Sequence, residues 1–467
     1  MKKKKNGLFT IIICILLAIM VVTWLVPASS FSGGELAELG MYRIGFFDFF
    51  QLLFGAFQFS YFIQMFTLLV MVGAFYGVLS KTGKYKVIVN SIASKFKGKE
   101  KVFLICASLF IALLTSVFDF GLITFVIIPV IISIVLAMKY DKITAFITTF
   151  GAYLVGVIGN TISSNMILTI NSVLTDVSLY DGIWFKIALF VVSYGLLVFY
   201  LIKANKTTAK ELEDADMFID ETETSKSPVW PAILIFGIVF VLLILGCVDW
   251  SGVFGIEFFN ELHTSITSWT VGKNDLTLAA FIIGNVNAFG NWHYAEIAVI
   301  CVIAAFILGI VYRLGLSKTF ESMWDGIRKM APTAALVLLV YAVVYFTGNT
   351  LSYPTIAGWI LGATSKFNLL FASIATILGS ALHVDILYVA NYVVAQLAAT
   401  TTNQVLVGVL VQSLYGLTMF VVPTSAMLVL GLSYLNIPYK EYLKKVWTLL
   451  LELLVAILII LIIVALI

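Results

Sequence analysis

Residues 102–138 form an apolar run that is too long to cross a membrane once and that carries Asp119 near its middle. A single helix of this length would extend about 55 Å at ~1.5 Å per residue, whereas the hydrocarbon core of a bilayer is about 30 Å thick. Lysines flank the run on both sides, with Lys101 before it and Lys139 and Lys142 after it. A single crossing would place its ends on opposite sides, and basic residues favour the cytoplasmic side. The run, at about 102–138, is therefore predicted to be a re-entrant helical hairpin.

A second apolar run of the same kind covers residues 369–398 and carries Asp385. Each run is followed further along the chain by a polar patch inside another apolar stretch, GNTISSN at 159–165 and PTSA at 423–426. The stretches that contain these patches are predicted to be broken transmembrane helices. An aspartate at membrane depth is costly and usually serves a function, so both aspartates are candidate site residues.

Composition places the rest of the chain in a membrane as well. Hydrophobic residues make up 61% of the chain and charged residues 11%, whereas a soluble domain has roughly 25% charged residues. The predicted fold class is an all-α polytopic membrane protein with about nine spans plus the two hairpins. The predicted spans are 8–27, 49–79, 143–173, 183–202, 230–248, 294–312, 332–347, 404–435 and 446–467. Residues 319–331 are expected to form an amphipathic surface helix.

The N-terminus is expected in the cytoplasm, because Lys2 to Lys5 precede the first apolar run. That run is interpreted as an uncleaved first span of a multi-pass protein of the cell (cytoplasmic) membrane, since it has no convincing small-residue cleavage site.

The two halves of the chain have the same order of elements: span, span, hairpin, broken span, span. The flanks of the first hairpin are rich in lysine and those of the second are not, so the halves are predicted to insert upside down relative to one another. The predicted division is a first inverted repeat at 1–203, an acidic cytoplasmic linker at 204–228, and a connecting span with the second repeat at 229–467. Inverted-topology repeats are typical of secondary transporters, whose substrate site lies near the midplane.

The candidate site residues lie in the hairpins and the polar patches, where helix ends and hydroxyl or amide groups would face a solute. They are Ser116, Asp119, Asn160, Thr161, Ser163, Asn165, Ser380, His383, Asp385, Thr424 and Ser425. A structural role is the alternative for each hydroxyl, because Ser and Thr within spans often hydrogen-bond to a helix. A structural role is equally open for His383. If the hairpin tips reach water, a charged aspartate there costs little free energy and need not serve a function.

The charged residues constrain the substrate. All three arginines lie at the flanks of spans, and no lysine lies in the middle of one. A carboxylate would therefore be held by helix N-termini and by amide or hydroxyl donors. Two buried aspartates would repel a dianion unless Na⁺ or H⁺ offset them, and they would attract an amino group. This favours an amino acid over a C4-dicarboxylate, with both left open.

Other classes of function fit less well. The three histidines and four cysteines show no metal-binding spacing, so no cofactor is expected beyond Na⁺ or H⁺ as coupling ion. A membrane enzyme would need a nucleophile and base or a metal cluster, and a channel would not need two polar clusters on an inverted repeat. A P-loop for ATP is absent from the sequence. Neither enzymatic activity nor nucleic-acid binding is therefore expected.

Three segments resemble the YfcC-type members of the anaerobic dicarboxylate carrier (DcuC-like) family of the ion transporter superfamily. They are FDFGLITFVIIPVIISIVLAMKYDKITA at 118–145, GVIGNTIS at 156–163 and VVPTSAMLVLGLSYLNIPYKEYLKKVW at 421–447. The resemblance covers nearly the whole chain. It implies two inverted repeats, a homodimer, and an elevator-like secondary carrier of carboxylates, amino acids or peptides driven by Na⁺, H⁺ or exchange. Some members look like arginine–ornithine exchangers.

The chain departs from the pattern of this family at three places. Ser163, Ser164 and Asn165 stand where Asn-Pro-Phe is expected, SALHVD occupies 380–385, and LYGLTM occupies 414–419. These departures indicate a substrate that differs from that of better-known members.

Overall fold

The computed structural model describes residues 7–204, 206, 217–219, 227–271, 276–277, 282, 284, 286–364 and 366–466. The prediction of a helical, polytopic chain is confirmed, with two short antiparallel β-pairs outside the helices. Most of the acidic segment 204–228, predicted as a linker, lies outside the described residues.

Short loops and one small sheet join the helices of the first half of the chain. Its elements are α1 Leu8–Leu25, β1 Ala28–Ser32, β2 Glu35–Gly40, α2 Phe46–Gln58, α3 Ser60–Lys81, α4 Lys84–Lys95, α5 Glu100–Val117, a 3₁₀-helix Gly121–Val126, α6 Ile128–Ala137, α7 Lys142–Ile158, a π-helix Ser164–Leu168, α8 Thr169–Asn171 and α9 Ile183–Ile202.

The second half is also mostly helical and contains a second small sheet. Its elements are α10 Trp230–Cys247, α11 Trp250–Phe254, α12 Phe258–Thr267, β3 Thr270–Val271, β4 Leu276–Thr277, α13 Tyr294–Val311, α14 Leu316–Thr350, α15 Ser352–Leu361, α16 Leu369–His383, α17 Ile386–Ala398, α18 Gln404–Val421, α19 Ala426–Tyr434 and α20 Tyr439–Leu466.

Within the described residues, 9 helical stretches are long and apolar enough to cross a membrane. They are α1, α3, α5, α9, α10, α13, α14, α18 with α19, and α20. The number agrees with the prediction, but one member differs. Helix α5, predicted as a hairpin arm, is long enough to cross, whereas α7 is shorter because the chain breaks after Ile158.

Two predicted boundaries are wrong. The span predicted at 49–79 is two helices, because Phe59 has an extended backbone that ends α2 before α3 begins. The surface helix 319–331 and the span 332–347 are one continuous helix, α14, with Pro332 inside it. Pro332 removes a backbone hydrogen bond and crowds the preceding turn, and the packing of α14 against α3, α2 and α1 offsets this cost.

Both long apolar runs fold back on themselves. Lys206 forms an ion pair with Glu100 at the start of α5, with Nζ–Oε1 2.7 Å, and a β-bridge with Tyr140 after α6, so the first run returns to where it began. In the second run, the His383 ring on α16 stacks on Tyr392 of α17 with centroids 4.8 Å apart. The side of the membrane from which each apolar run inserts, and the inversion of the two halves relative to one another, remain predictions.

The helices pack in two groups. In the first group, α3 contacts α14 and α13, and α13 contacts α10. Gly73 and Gly77 of α3 face Gly326 of α14 so closely that a Cβ on any of them would collide with the other helix. In the second group, α7 contacts α5, α9 and α18, and α18 contacts α16 and α20. The groups meet where α14 contacts α16 and α19.

Candidate substrate-binding site

A cavity of about 430 Å³ lies where the interrupted helices meet. The first turn, residues 118–120, and the second turn, residues 384–385, both reach it, as do the segments that follow the first break at 159–163 and the second break at 422–425. The four interruptions come from distant parts of the chain. Their convergence makes this cavity the candidate site.

The first turn is held through its aspartate. Asp119 has a φ of 46°, in the left-handed region that Asp tolerates better than most residues, and its N–H donates to Thr115 O at 3.0 Å. The Tyr153 hydroxyl of α7 donates to Asp119 Oδ1 at 3.0 Å. Asn165 and the Gly121 N–H also face this carboxylate. The charge of Asp119 is thus shared among several donors at the wall of the cavity.

The second turn is built differently. Asp385 caps the start of α17, where its Oδ1 accepts the Leu387 N–H at 3.0 Å. The Tyr415 hydroxyl of α18 donates to the backbone oxygen of Val384 at 2.8 Å and so holds the turn without contacting the carboxylate. Tyr61 of α3 faces Asp385 from the other group of helices. Both groups therefore contribute to this end of the cavity.

Hydrogen bonds tie the first break to the first turn. The Thr161 N–H donates to Ser116 O at 2.8 Å, and the Ser116 hydroxyl donates to Gly159 O at 2.7 Å. The Ser163 hydroxyl donates to Asn160 Oδ1 at 2.8 Å and accepts the Met166 N–H that starts the next helical segment. These side chains satisfy backbone groups that the broken helix leaves without partners.

The second break repeats this arrangement. The Thr424 hydroxyl donates to Ala381 O near the end of α16 at 2.8 Å, and Ser425 Oγ accepts the Leu428 N–H that starts α19. A further contact joins the halves: Gln412 Nε2 of α18 donates to Ile158 O and to Asn160 O, at 3.2 and 2.6 Å. A side chain from the second half thereby satisfies the carbonyls freed at the first break.

Only some of the predicted site residues line the cavity. Asp119, Asn165, Asp385 and Ser425 do so. The others hold the frame around it: Ser116, Asn160, Thr161, Ser163 and Thr424 bind backbone or one another at the turns and breaks, whereas Ser380 and His383 are fully buried in α16. The His383 ring lies between Tyr353 and Tyr392.

The sequence analysis missed a set of tyrosines at the cavity. They come from six helices and are Tyr61, Tyr153, Tyr294, Tyr341, Tyr388 and Tyr415. One signal in the sequence could have revealed two of them, because Tyr153 stands as far before Ser163 as Tyr415 stands before Ser425. A tyrosine offers both an aromatic face and a hydroxyl that donates or accepts.

At the walls of the cavity, positive charge comes from the backbone at helix N-termini. The first residues of all four helical segments that resume after a turn or a break line it: Gly121, Leu122, Asn165, Met166, Ile386, Leu387, Ala426 and Met427. Helix N-termini carry partial positive charge and attract anions. Among the described residues that line the cavity, none is Lys, Arg or His. The buried Lys84 and Lys186 lie elsewhere, at the starts of α4 and α9.

The nine candidate spans within the described residues and the interrupted helices around this cavity indicate a multi-pass membrane transporter, which resides in a lipid bilayer and binds a small molecule. The chain belongs to the DcuC family, the C4-dicarboxylate anaerobic carriers, whose family model matches residues 6–466. A comparison with curated protein sequences gives no match. Among solved structures, the chain is similar to the YdaH transporter of Alcanivorax borkumensis, with 15% identity, 97% of each chain covered and a TM-score of 0.44.

Proposed function

We propose that this protein is an elevator-like secondary active transporter, without enzymatic activity, that moves an amino acid across the cell membrane. One observation carries the proposal: Asp119 and Asp385 line the same cavity as four helix N-termini, and no described lining residue is a basic side chain. The N-termini suit a carboxylate and the aspartates suit an ammonium group. A solute that bears both groups complements this cavity better than a dianion does.

A C4-dicarboxylate is the second candidate, and membership of the DcuC family favours it. A dianion would meet two aspartates, so its binding would require Na⁺ or H⁺ to offset their charge. The tyrosine hydroxyls and the helix N-termini would then hold its two carboxylates. The coupling ion thus distinguishes the candidates: the dicarboxylate needs an accompanying cation, whereas an amino acid permits exchange without one.

The proposed transporter has the architecture that the sequence predicts. Residues 1–203 and 229–467 form two inverted repeats, joined by the linker 204–228, with a re-entrant hairpin in each. The N-terminus is cytoplasmic and the functional unit is a homodimer. Modification of cysteines placed on either side of a span in intact cells would test the orientation. Cross-linking in membranes would test the dimer.

Uptake by proteoliposomes tests the substrate. Labelled aspartate, ornithine and succinate would be offered with an imposed Na⁺ gradient, with a pH gradient, and with the same solute inside. We expect an amino acid to move and succinate to be excluded. Movement of succinate alone would establish the second candidate in place of the first. If none of these solutes or further amino acids and dicarboxylates moved under any gradient, the transport proposal would be wrong.

A further inference from the structure

A short piece of the acidic segment, Met217 to Ile219, is packed into the protein through Phe218. The Phe218 side chain is 0% exposed. Its ring stacks on Tyr76, with centroids 5.3 Å apart and planes at 29°, and contacts Tyr434 at 6.3 Å. Lys329 Nζ lies 5.9 Å from the ring centroid, and the Ser80 hydroxyl donates to Phe218 O at 2.5 Å. A phenylalanine within a polar segment is thus buried like a core residue.

The neighbours of Phe218 belong to both groups of helices. Tyr76 and Ser80 lie on α3 and Lys329 lies on α14, whereas Tyr434 ends α19. The elements at the first turn also reach this place. The Tyr76 hydroxyl donates to Val126 O at 2.8 Å, and Tyr434 packs edge-on against Phe125 at 5.5 Å. Phe218 therefore fills the junction where the two groups meet next to the interrupted helices.

We propose that residues 217–219 are a regulatory strap whose Phe218 anchor holds the two groups of helices in the arrangement seen here. The inference rests on the proposed function, in which one group moves against the other during transport. Closely packed elements switch between discrete arrangements rather than deform, because a core resists gradual distortion. A ring shared by both groups must leave its place before they slide past one another.

The strap has a direct consequence for the rate of transport. Each cycle must break the contacts of Phe218 with one group, so removal of the ring lowers the barrier for leaving this state. Phe218→Ala should raise the maximal rate of solute exchange by about fivefold or more, at the lower end of typical couplings between conformational states. The KM should change little, because Phe218 is not among the residues that line the cavity.

Spin-label distances test the strap independently of transport. Labels at Leu234→Cys on α10 and Trp447→Cys on α20 would report on the two groups, since both positions are exposed. The four native cysteines would first be replaced. The labelled wild-type background should give one narrow distance distribution, and addition of Phe218→Ala should broaden it or add a second distance. Val191→Ala, at an exposed position of α9 outside the strap, is the control and should leave the distribution narrow.

A second variant guards against loss of folding. Ser80→Ala removes the hydroxyl that donates to Phe218 O while the ring is retained, and it should broaden the distance distribution less than Phe218→Ala does. Unchanged distances and unchanged exchange in folded Phe218→Ala protein would overturn the strap. If the wild type moved no solute, the proposed function would fail, but the distances would still decide whether Phe218 holds the groups together.

Discussion

Each of the two turns at the cavity is held by a tyrosine hydroxyl, but the two hydroxyls donate to different kinds of acceptor. Tyr153 and Tyr415 occupy matching positions before the two breaks, and each reaches the turn of its own half. Tyr153 donates to the carboxylate of Asp119, whereas Tyr415 donates to the backbone at Val384. Tyr153 therefore restrains the carboxylate of Asp119. Tyr415 restrains the backbone of the second turn and does not hold the carboxylate of Asp385.

This difference suggests a division of labour. Asp119 is 8% exposed and is surrounded by donors of its own half, so much of its charge is already compensated. Asp385 is half-buried; within its own half it accepts the Leu387 N–H at the start of α17, and the other group that faces it, Tyr61, comes from the other group of helices. Asp385 is therefore the better placed of the two to attract a cationic group of the solute or a coupling ion, and Asp119 the better placed to shape the wall.

The largest expected effect separates the two aspartates. Asp385→Asn should lower the initial rate of uptake about 100-fold, equivalent to ~2.7 kcal/mol, whereas Asp119→Asn should lower it about 10-fold. In both variants the amide oxygen still accepts the existing hydrogen bond, so the loss measures charge. Asp176→Asn, at an exposed loop position, is the control. Equal losses would make the turns equivalent, and a reversed order would reverse the division of labour.

The second test concerns how each turn is supported. Gly379 of α16 faces Val393 of the returning arm too closely for a Cβ, and a Cβ on Gly156 would lie 2.6 Å from Ala112 O of α5. Gly379→Ala should separate the arms of the second run, and Gly156→Ala should push α5 away from α7. Each should cost about 2 kcal/mol of stability, measured by thermal unfolding in detergent.

Gly195 provides the control for these glycines. It lies in α9 with nothing within 4 Å of a built Cβ, so Gly195→Ala should keep or raise the stability by improving helix propensity. A neutral effect of Gly379→Ala would show that the arms of the second run do not need this close contact.

A smaller effect should distinguish the tyrosines. Tyr153→Phe removes a hydrogen bond to a carboxylate and should cost about 1.5 kcal/mol of stability, whereas Tyr415→Phe removes one to a neutral carbonyl and should cost about 1 kcal/mol. Tyr153→Phe in the Asp119→Asn background should cost less than it does alone, because the acceptor has lost its charge. Additive costs in this double-mutant cycle would contradict the restraint of Asp119 by Tyr153.

The smallest effect concerns the serines that cap the resumed helices. Ser163→Ala should cost about 1 kcal/mol and Ser425→Ala about 0.5 kcal/mol, because Ser163 also donates to Asn160. Threonine at either position should restore most of the loss, since it keeps the capping oxygen. Thermal unfolding of the four variants would measure this. A larger cost at Ser425 would show that the second break depends more on its cap than the first.

Much of the architecture could be predicted from the sequence. The bounds 369–398 of the second run coincide with the ends of α16 and α17, because hydrophobic length and flanking polar residues determine where such a run begins and ends. The sequence did not predict that residues 319–331 and the following span form one helix, because a proline such as Pro332 usually indicates the end of a helix. The continuous helix α14 packs against α3, α19, α2 and α1, and these tertiary contacts cannot be derived from the local sequence.

The sequence by itself determined that this chain is a multi-pass membrane protein, and it predicted two hairpins with an aspartate near the turn of each. Length, charge and polar interruptions are local properties, and they suffice for these conclusions. The tertiary structure alone decided which of the 20 tyrosines reach the cavity and that Gln412 satisfies the first break. The apolar period of a helix shows which face is buried but not which distant helix it meets.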